Sequence, residues 1–134
     1  MRRAVLIALS LGLVIGIIGT VMAMGAMRSG PHMTTVLMHM QDFHMDALQA
    51  NLKANRCAAT DNLPHLQALR TLSNDIEPIF LPIDKEADFR QKASNLRAAL
   101  DASLATPPTE CASLGAAMTK IGRECKSCHQ EFKD

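Results

Sequence analysis

Apolar and polar positions divide this chain into two very different parts. From Ala4 to Met27 no charged residue interrupts an apolar run. After Ser29-Gly30-Pro31 the pattern turns polar and periodic, and four segments repeat apolar residues at helical spacing. The first runs from about Met33 to Lys53, with Met33, Val36, Leu37, Met40, Phe43, Ala47 and Leu48 on one face. Asn62 reads as the N-cap of the second, with Pro64 in its first turn and Leu66, Leu69, Leu72 and Ile76 as its stripe. Pro78 and Pro82 end that helix and make a connector around Phe80. The third starts near Asp84 and carries Phe89, Ala93, Leu96, Leu100 and Leu104. Pro107 and Pro108 open the fourth, whose stripe is Leu114, Met118, Ile121, Cys125, His129 and Phe132. No stretch alternates at period two for long enough to predict a strand. Four amphipathic helices with short connections predict an all-α fold, an antiparallel four-helix bundle over residues 29–134.

The front segment, residues 1–28, predicts a hydrophobic helix with one of two fates. Arg2 and Arg3 followed by the apolar run read as the start of an export signal, and Val21-Met22-Ala23 suits cleavage after Ala23. The run is also about 36 Å long as a helix, enough for an uncleaved membrane anchor through residues 4–27. Either way the domain lies outside the cytoplasmic membrane, in the periplasm, where disulfides and haem attachment are tolerated.

Charge narrows the partners. All thirteen acids lie beyond residue 41, and removing Arg2, Arg3 and Arg28 from the fourteen basic residues leaves the domain at 11 − 13 = −2. A near-neutral domain without Trp or Tyr lacks the basic face and stacking platforms of a nucleic-acid binder. Paired buried carboxylates, a Ser/His/Asp set and a Gly-rich phosphate loop are all missing from the pattern, so no enzyme is expected. Glu110, Glu124 and Glu131 read as solvated helix-surface charges.

Cys125-Lys126-Ser127-Cys128-His129 carries the chemistry. C-x-x-C-H is the attachment signature of c-type haem. Two thiols three positions apart on a helix point the same way and reach two vinyl groups of one porphyrin. The next residue, His129, then offers an imidazole nitrogen to the iron as proximal ligand. A zinc site wants two more ligands at matching spacing, and a redox C-x-x-C wants a βαβ context that this pattern lacks.

With those residues the chain resembles the class II c-type cytochromes, the cytochrome c′ family. The likeness lies in the motif at the extreme carboxyl end, in Asp88 to Leu96, and in Ile121 to Phe132; it fades towards the front. The basic residue that members often carry early in the first helix has no counterpart here. The resemblance implies one covalent haem c in a four-helix bundle, a redox partner protein and a homodimer through the first two helices. It also places the distal residue about fifteen before the end of helix one, at Met40. Bundle topology agrees, since a haem late in helix four faces the early part of helix one. There Met33, Met40 and His44 fall within the apolar stripe, while Met38, His39 and Met45 fall outside it. Met40 is thus the expected distal iron ligand and His44 the alternative, with His32, His39 and His65 at the surface. Core filling by Met40 is the competing reading.

Cys57 and Cys111 sit at the end of the bundle away from the motif. They are expected to form a disulfide that closes a loop of about 55 residues. The leading expectation is a one-electron carrier. A five-coordinate haem protein that binds NO or CO is the first alternative. A periplasmic copper-binding protein is the second, resting on the Met and His residues of Met38 to Met45.

Overall fold

The computed structural model describes the backbone of residues 2–27 and 32–132, with side chains from 10–23 and 32–132. The connector at residues 28–31, where the sequence marks its boundary, lies outside them. In chain order the helices are α1 (Arg2–Met27), α2 (Met33–Lys53), α3 (Ala59–Leu72), α4 (Ile76–Phe80), α5 (Glu86–Ala105) and α6 (Cys111–Phe132), with a 3-10 turn at Ser73–Asp75. Two compact units result, residues 1–32 and 33–134.

The first unit is α1. Its described side chains from Leu11 to Met22 are exposed, and Thr20 donates to the carbonyl of Gly16 at 2.7 Å. Among the described residues no helix is long and apolar enough to cross a membrane.

In the second unit α2, α3, α5 and α6 form a closed ring of neighbours around one core. Cross-helix pairs fix their directions. His44 meets His65 and Asn51 meets Asn62, so α2 and α3 run antiparallel. Arg70 pairs with Asp101 and Arg97 with Glu77, which reverses α5 against the α3–α4 arm. Lys92 donates to Ser127 at 2.7 Å, reversing α6 against α5. Leu48, Leu66, Leu100, Leu114 and Ile121 fill the centre. Burying each is worth about 2 kcal/mol.

Two local expectations change. Asn62 is not an N-cap, because α3 begins three residues earlier, after Ala58. Instead its fully buried amide donates to the carbonyls of Arg56 and Ala58 and accepts from Asn51, tying down the α2–α3 turn. Pro78 does not end the second helix either. It falls in the first turn of α4, where a missing N–H breaks no helical hydrogen bond, so the chain stays helical to Phe80.

At the far end from the C-x-x-C-H motif, Cys57 and Cys111 are joined by a disulfide, with their Cα atoms 4.9 Å apart. It clips the α2–α3 turn to the start of α6.

Candidate functional site

A cavity of about 380 Å³ opens between the early turns of α2 and the last turns of α6. Antiparallel packing creates it. Small and flexible side chains on α2 (Thr34, Thr35, Met38) face the thiols of α6 across a gap that no large side chain fills. Leu69, Ile76, Leu96, Leu100 and Ile121 floor the cavity. Phe80, Phe89 and Phe132 wall its carboxyl-terminal end, Phe89 meeting Phe132 edge-on at 5.2 Å and Phe80 at 5.8 Å. Lys92 and Lys85 pair with Glu131 and hold the end of α6 against α5.

The structure brings Cys125, Cys128 and His129 together on this cavity. Both thiols are half-buried and unbonded, while His129 is exposed at the rim. Burial first, then the neighbouring Cys128 and Asp42, pushes the Cys125 thiol up to about 11. Burial also raises Cys128, against the pull of Lys92. Neutral thiols of this kind lack the depressed pKa of a redox-active C-x-x-C pair.

On α2 the geometry corrects the sequence. Met40 is 43% exposed and does not line the cavity, and Met33, Val36 and Phe43 are exposed with it. The face turned inward carries Leu37, Gln41 and Leu48, with Met38 and Met45 half-buried beside them. Met38 and Met45 both line the cavity; Met40 and His44 do not. The reason is chemical. Apolar residues surround this helix, so its hydropathy names no single face, and the cavity face includes Thr34, Gln41 and Asp42, which an apolar stripe leaves out. The spacing Thr34, Met38, Gln41, Met45 was the available signal, with two polar members hiding it.

His44 turns instead to His65, their Nδ1 atoms 3.1 Å apart, so His65 is half-buried and not a free surface residue. His39 is exposed at the cavity rim and His32 is exposed. The Met and His residues of Met38 to Met45 therefore split between the cavity, the outer face and the His65 contact rather than forming one cluster.

Gln41 supplies an independent mark of a ligand. It is 8% exposed, and its Nε2 is buried with no hydrogen-bond partner. Leaving such a donor unpaired costs about 1–3 kcal/mol. An apolar cavity with two thiols one helical turn apart, an adjoining imidazole, an opposing thioether and an unanswered donor fits a haem bonded to α6.

Comparison with known proteins agrees. A family model described as Cytochrome C′ matches residues 28–133. Two relatives, both named cytochrome c-556, come from Agrobacterium fabrum (strain C58 / ATCC 33970) and Agrobacterium tumefaciens (strain II Chrys). Each is 41% identical over 46 residues, 34% of this chain, and the match spans 32% and 38% of their respective lengths. The chain thus covers about a third of the relatives it matches. No solved structure matches it.

Proposed function

This chain belongs to the cytochrome c′ family, a premise from which we propose that it is a periplasmic one-electron carrier with a single covalent haem c. The family implies haem c, and the cavity at the C-x-x-C-H motif carries the reading. Cys125 and Cys128 would hold the group through thioethers, with His129 as proximal iron ligand. Haem, when bound, supplies a ferrous/ferric couple. The chain's own part is to exclude water with Leu96, Leu100, Ile121 and the three phenylalanines, which favours the less charged state of the iron.

For the distal side we assign Met38 in place of Met40. Its thioether lies on the cavity wall supplied by α2, opposite the motif, whereas Met40 lies outside. A thioether offered from Met38 would raise the potential and leave no open site for gases, which suits electron transfer.

Export supports the periplasmic location. We read Arg2, Arg3 and the apolar run through Met27 as a signal peptide or an anchor, and a Cys57–Cys111 disulfide suits an oxidising compartment. A homodimer completes the proposal, built on the apolar strip of α2 that the fold leaves exposed: Met33, Val36, Met40 and Phe43.

Gas binding is the second reading, and Gln41 favours it. A buried amide N–H in the cavity is suited to donate to a diatomic ligand on an open iron. Optical spectra of the oxidised and dithionite-reduced protein, with and without CO, separate the two. A sharp reduced α-band indifferent to CO is expected for the carrier. A broad high-spin reduced spectrum that shifts with CO transfers the function to gas binding, and a protein matured with no haem spectrum overturns both.

A further inference from the structure

Away from the cavity, α2 and α3 bring two imidazoles into direct contact. His44 Nδ1 and His65 Nδ1 are 3.1 Å apart although 21 positions separate the residues, with ring centroids at 5.4 Å and planes 53° apart. Phe43 stands edge-on to His44 at 5.1 Å and shields one side. Neither ring lines the haem cavity.

We propose that His44 and His65 form a second metal site, a two-imidazole chelate for a borderline divalent cation such as zinc or copper. Geometry makes the case. With metal–nitrogen bonds of about 2.05 Å, two nitrogens 3.1 Å apart subtend an angle of about 98° at the ion. That value lies between the cis angle of a square plane and the tetrahedral angle, so the spacing of the two nitrogens suits one ion once the rings turn to face a common point.

Protonation is compatible. In the metal-free pair one Nδ1–H donates to the other Nδ1. Metal entry moves that proton to the Nε2 of the same ring, freeing both Nδ1 lone pairs without net proton release. Among the described residues no group of three His, Cys, Asp or Glu side chains could hold a metal ion. Water therefore completes the shell.

The site spans two helices, so an occupied ion also clamps α2 to α3, and it does not depend on haem or its axial ligands. Its test is calorimetric titration of zinc into the chelator-treated, haem-loaded protein, comparing the unaltered chain with His44→Gln, His65→Gln and His32→Gln, the last an exposed histidine away from the cavity. One zinc per chain is expected, weakened by about tenfold or more in each of the first two variants and unchanged in the third. An unaltered haem spectrum and helical circular dichroism show that each variant is folded. Should one variant fail that check, the other carries the comparison. No zinc binding, or zinc binding that survives both His44→Gln and His65→Gln, overturns the proposal.

Discussion

Two methionines two residues apart on one helix face opposite ways, and that separation makes the distal ligand testable. A step of two along a helix turns the side chain by about 200°, so Met38 and Met40 cannot both serve the cavity. Met38 lines it and Met40 is 43% exposed. Met38→Leu is expected to open the sixth iron position, lose any thioether-to-iron absorption in the oxidised protein and make the reduced protein bind CO. Met40→Leu should leave each of these features as they were. The reverse pattern returns the ligand to Met40 and means that α2 rotates when haem is attached. Gln41 directly follows Met40 in sequence but lines the cavity with Met38, so it answers to the same rotation.

At the scale of helices, much of the arrangement was legible from periodicity, and the exceptions are instructive. α5 and α6 carry one clean apolar stripe each, and Phe89, Ala93, Leu96, Leu114, Met118 and Ile121 are buried as their spacing predicts. Cys125, Cys128 and His129 follow on the same face of α6 and come together on the cavity for that reason. α2 defeated the same logic because its apolar residues serve two surfaces, one against the cavity and one outward. Asn62 departs from its expected cap role because a residue with cap chemistry is buried one turn inside the helix, a tertiary choice that local sequence does not encode. Nothing in the spacing predicts the Arg97–Glu77 pair, since it joins helices 20 positions apart. Arg97 donates through both terminal nitrogens to Glu77, at 2.6 and 2.7 Å, and also reaches the carbonyl of Ser73 at 3.2 Å. The Arg97 hydrogen bonds hold the Glu77 carboxyl below its ordinary range, outweighing the opposite effect of burial. A depressed carboxylate stabilises the fold above its unfolded pKa of about 4.3, and that contribution vanishes as pH falls through the lower folded value. Glu77→Gln is therefore expected to destabilise by roughly 1–2 kcal/mol at pH 7. The gap should narrow towards pH 3, as followed by urea unfolding under circular dichroism at both pH values. An equal gap at both would mean that packing, and not charge, explains the loss.

For the whole molecule, the exposed face of α2 raises the question of what covers it. Met33, Val36, Met40 and Phe43 recur at spacings of three and four, so they form one strip along the helix, and Phe43 is 60% exposed. Such a strip in contact with water is unfavourable, and a second copy offers the same strip in return across a two-fold axis. Symmetry doubles the effect of any change there. A buried Phe is worth about 2–3 kcal/mol, so replacing both copies of Phe43 removes about 4–6 kcal/mol of association. That is roughly three to four orders of magnitude in the dimer dissociation constant. Phe43→Glu is accordingly expected to convert a dimer to monomer in sedimentation equilibrium at micromolar protein, with the haem spectrum unchanged because residue 43 does not line the cavity. A monomeric parent protein, or a variant that stays dimeric, would remove the homodimer from the proposal and leave this strip to a different occupant. The His44–His65 pair adjoins Phe43, so the same variant followed by zinc titration shows whether assembly and metal binding share this face or act separately.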